Sequence, residues 1–352
     1  MTLSESLIRV PGITAQNRSH QAQDPTISTR GFGARSSFGV RGVRLYVDGI
    51  PLTMPDGQGQ PGVVDLSAIK SVEVMRGPFS ALYGNSSGGV IQMISDDAPK
   101  TPEVGAGVMF GSYGTKREIM NAAGTNGNLE YMLNVSNFDS DGYRDHSRSN
   151  KQQATAKFKL NISDSTKITS LVNWFEQDAK DPTGLTKADV RRDPKSVVPA
   201  ATNANLNVSR RHTQVGFNLE HRLDENNQIN IMSYGGQRDN YQVLPTNTLG
   251  TNARASVIAR DFYGADVRWD NKGVIINMPY TLSLGLNYGK SKDARSDNNI
   301  LSGGNPINTV NRDEDNDSQN FDQYAQGKLS ILENVDLHAG LRRTKVKLEV
   351  KD

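Results

Sequence analysis

Beyond Pro102 the chain settles into segments of roughly ten residues in which apolar and polar positions alternate, the length and period of a strand crossing a bilayer at a tilt. Val104, Ala106, Val108 and Phe110 share one face. Tyr131, Leu133 and Val135 repeat the pattern, as do Phe158, Leu160 and Ile162, then Val215, Phe217 and Leu219. The cleanest segment sets Leu282, Leu284, Leu286 and Tyr288 against Ser283, Gly285 and Asn287, and Val335, Leu337, Ala339 and Leu341 close the series. The spacing predicts about eleven strands. The connections alternate as well. Short turns at Asn126-Gly127-Asn128, Ser163-Asp164-Ser165, Asp224-Glu225-Asn226-Asn227 and Leu332-Glu333-Asn334 are separated by polar stretches at 139–152, 177–211, 238–260 and 291–320, read as long loops. Short turns at one end and long loops at the other are the habit of an outer-membrane barrel, whereas a sandwich has no reason to keep that rule. The first outer loop, Ser112-Tyr113-Gly114-Thr115, is short and departs from it.

The first hundred residues have another texture, dense in glycine with short strands. Val43–Val47 reads as a strand ending at the Asp48-Gly49 turn. Ser71–Met75 is a second strand, broken by Gly77-Pro78, and Val90–Ser95 a third, with a short helical turn at Asp65–Ile69. These elements predict a small mixed α/β globule.

Composition narrows the class. The 352 residues carry 40 Lys+Arg against 38 Asp+Glu, a net charge of +2, which gives no reason to expect nucleic-acid binding. Only 35% of residues are hydrophobic and the mean hydropathy is -0.57. That is low for a soluble core and natural for a barrel in which every second strand residue faces a polar lumen. The absence of cysteine excludes disulfides and thiolate chemistry. No apolar run is long enough for a transmembrane helix. Met1–Glu5 has neither the basic start nor the apolar core of an export signal, so for an exported protein the N-terminus is expected to be processed or missing. His20, His146, His212, His221 and His338 show no ligand spacing. His212 and His338 fall on the polar face of their strands, hence in the lumen. Asp139, Asp141, Asp145 and His146 are read as solvated loop residues and not as a metal site. No nucleophile–base constellation stands in any local motif, so no enzyme is expected.

Five motifs then occur in order. Leu7–Ile13 contains Val10-Pro11-Gly12; Ile27-Ser28-Thr29-Arg30-Gly31-Phe32-Gly33 and Leu45-Tyr46-Val47-Asp48-Gly49-Ile50-Pro51 follow. Next come Ile69-Lys70-Ser71-Val72-Glu73-Val74-Met75-Arg76-Gly77-Pro78 and Ser80-Ala81-Leu82-Tyr83-Gly84-Asn85-Ser86-Ser87-Gly88-Gly89-Val90-Ile91. This series resembles the plug of TonB-dependent outer-membrane receptors. Asp56–Gln60, Pro78-Phe79-Ser80 and Gly142–Ser147 resemble most closely the enterobacterial YncD type within that family. The fold so implied is a mixed α/β plug domain (residues 1–100, lacking its N-terminal part) followed by an antiparallel transmembrane β-barrel, of which residues 101–352 form the N-terminal half: about 11 of about 22 strands. A TonB box before Met1 and further strands after Asp352 are expected to be missing, and an unpaired edge in lipid is not tolerated, so the chain reads as a fragment.

The resemblance also carries functional expectations. Arg30, Arg76 and Glu73 are assigned to the plug–barrel latch, in which plug arginines pair with barrel glutamates. Those glutamates lie on later strands, so neither arginine is expected to find its partner within this chain. Candidate ligand-binding residues at the plug apex and outer loops are Arg35, Ser36, Phe38, Arg41, Met54, Asp56, Gln58, Gln60, Tyr143 and Arg144, a mixture suited to a small polar or anionic ligand. Gly31, Gly33, Gly49, Gly77, Gly84, Gly88 and Gly89 are read as turn devices. The run from Gly84 to Gly89 is no phosphate cradle, since a strand and not a helix follows. No covalent cofactor, metal site or catalytic residue is expected. The implied function is energy-coupled import across the outer membrane of a Gram-negative bacterium, of a ferric siderophore above all. A small non-iron cofactor such as a redox quinone and, in another class, a passive porin-like barrel are the alternatives. TonB, its inner-membrane energising complex, outer-membrane lipid and lipopolysaccharide are the implied partners of a monomeric barrel.

Overall fold

A computed structural model describes residues 3–18, 20–36, 39–75, 80–84 and 87–352. The chain opens with a short helix, α1 (Leu3–Leu7), and a two-stranded ribbon of β1 (Ile13–Gln16) and β2 (Thr26–Thr29). A four-stranded sheet follows, built from β3 (Arg44–Val47), β4 (Ile50–Pro51), β5 (Ile69–Met75) and β6 (Val90–Ser95) in the order β4-β3-β6-β5. Strands β3 and β6 run parallel and the other pairs antiparallel. Between β3 and β4 the chain reverses at Asp48 and Gly49, with φ of 46° and 81°, the Asp-Gly hairpin turn that the sequence predicts. The expected helical turn is a 3-10 turn, Leu66–Ala68, and α2 (Ser80–Tyr83) precedes β6.

From Glu103 the chain forms one antiparallel meander of eleven strands, each paired with its neighbours in sequence. These are β7 (Glu103–Phe110), β8 (Lys116–Asn126), β9 (Leu129–Ser140), β10 (Ser149–Ser163), β11 (Thr166–Lys180), β12 (Asn207–Arg222), β13 (Asn227–Pro245), β14 (Ala253–Ile275), β15 (Met278–Ser302), β16 (Asn305–Leu332) and β17 (Val335–Lys351). The alternation sorts as expected. Val104, Val108, Phe110, Val135, Phe158, Leu160, Phe217, Leu284, Leu286 and Leu341 are exposed on the convex face, an apolar surface suited to lipid. His212, Gln214, Asn134 and Asn173 are buried on the concave face. The meander wraps the plug, whose core of Leu45, Val47, Ile50, Leu52, Ile91 and Met93 runs into Leu171, Phe175, Tyr234 and Phe262 of the wall. Gly216 makes room for this seat, since a Cβ there would stand 2.6 Å from Ile50 Cδ1.

All four expected long loops are corrected by the structure. The stretch 139–152 contracts to a connection at 141–148, and 177–211 to one at 181–206 holding two short helices. The stretches 238–260 and 291–320 are mostly strand. Strands β13 and β14 are joined only by 246–252, and β15 and β16, of 25 and 28 residues, turn at Gly303-Gly304. About ten residues suffice to span the bilayer, so these strands continue as a hairpin wall beyond it. Where lipid ends, both faces meet water and the apolar signal disappears, while the backbone ladder continues.

A cationic cavity above the plug

The plug meets the wall through polar contacts. Barrel amides donate to plug carbonyls: Gln177 Nε2 to Gln21 (2.9 Å), Gln214 Nε2 to Pro51 (2.8 Å) and Asn218 Nδ2 to Asp48 (3.0 Å). The densest contact is Asp65, whose side chain is fully buried. Within its own turn it accepts from Ser67 N (2.8 Å) and Ser67 Oγ (2.6 Å). From the wall it accepts from Arg117 Nη2 (2.5 Å), Ser136 Oγ (2.5 Å) and Asn134 Nδ2 (3.1 Å). Burial alone would push its pKa up. The hydrogen bonds from Ser136 and Ser67 and the Arg117 charge outweigh it and hold the carboxyl below the ordinary carboxylate value.

Toward the long-loop end, a cavity of about 510 Å³ opens between the plug apex and strands β12–β15. Eight arginines line it: Arg18, Arg35 and Arg41 from the plug side, Arg210, Arg238, Arg254, Arg260 and Arg295 from the wall. Among the described residues Asp24 is the one carboxylate in the lining, and Asp56, Asp293 and Asp297 stand behind as counter-ions. Arg260 donates to Asp293 through Nε (2.6 Å) and Nη2 (2.5 Å), and Nη2 also reaches Asp56 (3.0 Å). Arg210 reaches Asp24 (3.3 Å) and donates to the Ala22 carbonyl (2.7 Å). Arg238 and Gln242 are buried in the lining, and Arg238 Nη1 and Gln242 Nε2 have no hydrogen-bond partner among the described residues. Buried donors left unsatisfied in a wall with excess positive charge call for an anion.

The sequence-derived candidates distribute as follows. Arg35, Ser36, Arg41, Gln58 and Gln60 line this cavity. Asp56 sits at its floor, paired to Arg260 and, at 3.7 Å, to Arg41. Tyr143 and Arg144 line a neighbouring cavity of about 560 Å³ beneath the 181–206 connection. There the Arg144 guanidinium donates to the carbonyls of Pro182 (3.0 Å), Ser196 (2.9 Å) and Thr183, tying two loops together. Met54 is corrected: it is buried in the plug core, where its apolar side chain packs with Leu45 and Val40, and is not part of the cavity lining. Phe38, Arg76 and Gly77 lie outside the described residues. Arg30 and Glu73 are exposed, with no ion pair among the described residues. Gly31, Gly33, Gly49, Gly84 and Gly89 have positive φ, and Gly88 is packed against the Gly42 carbonyl. Sequence reasoning missed the wall arginines, although their parity places them: Arg210 shares the even-numbered face of β12 with His212 and Gln214, opposite Phe217.

The comparisons agree with this architecture. The family model described as the TonB-dependent receptor plug domain matches residues 1–90, and that of the TonB-dependent receptor-like β-barrel matches residues 124–352. The pesticin receptor of Yersinia pestis is 36% identical over 104 residues, covering 29% of this chain and 15% of that protein. The hemin receptor of Yersinia pestis is 23% identical over 235 residues, covering 62% of this chain and 32% of that protein. The crystal structure of the ferric citrate transporter FecA in the unliganded form superposes with a TM-score of 0.85 at 21% identity, over 99% of this chain and 54% of that one. The chain thus spans about half the length of that transporter and less than a third of the two receptors. With a plug and a barrel wall each matched by its own family model, the chain belongs to the TonB-dependent receptors.

Proposed function

We propose that this chain forms the plug and part of the barrel of an outer-membrane receptor that imports a small anionic ligand, a ferric siderophore-type chelate, with energy supplied through TonB. The observation that carries this reading is the arginine-lined cavity above the plug, with the unsatisfied Arg238 donor in its wall. Arginine forks bind carboxylates and other oxyanions bidentately, and a half-buried site strengthens each contact. The similarity to receptors named for hemin and pesticin and to a ferric citrate transporter supports the same class. Iron here is cargo. The outer membrane, lipopolysaccharide, TonB and its energising complex are the setting and partners of that proposal, and the exposed apolar band fits a single barrel in lipid.

The test is ligand binding to the receptor in detergent micelles, followed by quenching of Trp174 and Trp269. A ferric tricarboxylate chelate should bind, a neutral amide analogue of the same chelate should not, and affinity should fall with added salt. A carboxylated redox quinone in the same titration distinguishes an iron chelate from a non-iron anion. Equal binding of the charged and neutral chelates would defeat the reading.

A further inference from the structure

Between described residues, three ion pairs join plug to wall, and all three have the same polarity: the carboxylate on the plug, the arginine on the barrel. They are Asp24–Arg210 (3.3 Å), Asp56–Arg260 (3.0 Å) and Asp65–Arg117 (2.5 Å). They differ in place and strength. Asp24, Arg210 and Arg260 line the cationic cavity and Asp56 stands at its floor, whereas Asp65 and Arg117 are not part of it. The Asp24 and Asp56 side chains keep 13% and 19% of their exposure, and that of Asp65 keeps none. Asp24 accepts one hydrogen bond from the wall, from Arg210, and Asp56 one, from Arg260; Asp65 accepts three from the wall alone.

We propose that the two cavity pairs are the coupling between ligand and plug: an anionic ligand takes the places of Asp24 and Asp56 on Arg210 and Arg260, and so releases these two contacts from the wall while the Asp65–Arg117 pair, outside the cavity, holds. This rests on the anionic-ligand reading above. The exchange is chemically even, since one oxyanion replaces another on the same guanidinium. Arg260 keeps Asp293 on its Nε and Nη2 throughout, so only the contact to Asp56 is given up. Arg238, with its unsatisfied Nη1, adds attraction that the plug aspartates do not use. The two aspartates hold the places on these arginines that the ligand would take. Occupancy then frees Asp24 and Asp56 together with the backbone about Ala22, which Arg210 also holds. A pull arriving from the periplasmic side would meet a plug that has already given up two of these three pairs.

Linkage makes the proposal testable from both directions, because whatever the ligand does to the pairs, loss of the pairs must do to the ligand. The receptor in detergent is titrated with ferric citrate as the anionic chelate, as wild type and as Asp24→Asn, Asp56→Asn and Asp65→Asn. Each of the first two should bind about fivefold or more tightly, and Asp65→Asn should bind as the wild type does. In wild type the ligand should speed amide exchange in 20–27 and 53–60 and leave 61–75 unchanged. Weaker or unaltered binding by Asp24→Asn and Asp56→Asn, or ligand-induced protection of 20–27 and 53–60, would overturn the coupling while leaving the anion reading intact. Failure of the wild type to bind any anion would overturn both. The exchange measurement on wild type decides the matter even where a variant does not fold.

Discussion

Among the described plug residues Asp65 accepts the most hydrogen bonds from the wall, and Asp65→Asn tests what they hold with little change of shape. Asparagine still caps the 3-10 turn through its side-chain oxygen, so the Ser67 contacts are largely kept. The charge that Arg117, Ser136 and Asn134 converge on is lost, and the Arg117 guanidinium, only 14% exposed, is left without its counter-ion. Removing one partner of a buried ion pair costs about 3–5 kcal/mol. At about 1.4 kcal/mol per tenfold, local opening of the 61–75 segment should rise by about two to three and a half powers of ten. Amide exchange of that segment, followed by mass spectrometry on the receptor in detergent, reads the change directly. Arg117→Gln should cost a similar amount, and the double variant distinctly less than the sum, since each single change already breaks the pair. The pH dependence has a fixed sign. A carboxyl whose folded pKa lies below the unfolded value of 3.8 contributes stability that is fully present above that value. It is lost as pH falls below that value and through the lower, folded pKa, so the Asp65 contact should survive mild acid and fail only below the ordinary carboxylate range. An increase in exchange under tenfold, or additive single and double variants, would show that the plug is held elsewhere.

Other consequences follow from the same geometry. Arg144→Lys should loosen the 181–206 connection nearly as much as Arg144→Ala, because a point charge cannot span the carbonyls of Pro182, Thr183 and Ser196; limited proteolysis between 183 and 198 reads this, and rescue by lysine would refute the clamp. Leu286→Arg places a charge on the apolar convex face and should cost about 2–4 kcal/mol of membrane stability, whereas Asn305→Arg at the hairpin tip should cost within about 0.5 kcal/mol; urea unfolding from liposomes distinguishes the two, and equal costs would contradict the lipid-facing assignment. Gly88→Ala drives a Cβ to 2.7 Å from the Gly42 carbonyl and 2.8 Å from Val43 Cγ2, and should cost about 1–3 kcal/mol of plug stability. Gly107→Ala, with nothing within 4 Å, should leave thermal unfolding unchanged, and matching losses would refute the packing argument.

What the sequence made legible was whatever is written at short range. The period of two in Leu282–Tyr288 gives strand and lipid face together, because one side of each strand meets hydrocarbon. Asp48-Gly49 gives a hairpin, because both positions need positive φ. The same signal fails where its physical cause stops: Asp293, Arg295 and Asp297 pair with β14 as regularly as Leu284 does, yet their stretch reads as loop because no lipid imposes a pattern there. The site was harder for a different reason. Arg35, Arg41 and Gln58 could be placed at the apex from their plug context, but their counterparts Arg210 and Arg260 lie far along the chain, 186 residues from Asp24 and 204 from Asp56. Nothing local marks an arginine on a strand as facing ligand, plug or water. Parity does half the work, since counting from Phe217 or Tyr263 sends Arg210 and Arg260 inward. The other half is height along the barrel, which depends on where each strand leaves the membrane, and that is the quantity the extended hairpins conceal. The polarity of the latch follows the same logic. The resemblance implies plug arginines that pair with glutamates of later strands; the ion pairs between described plug and wall residues have the other polarity, wall arginines met by Asp24, Asp56 and Asp65. The wall offsets part of its own charge, with Asp293 on Arg260 and Asp297 beside Arg254 and Arg295, and the plug adds Asp24 on Arg210 and Asp56 on Arg260, so an anion entering the cavity would compete with plug carboxylates for the same guanidinium groups.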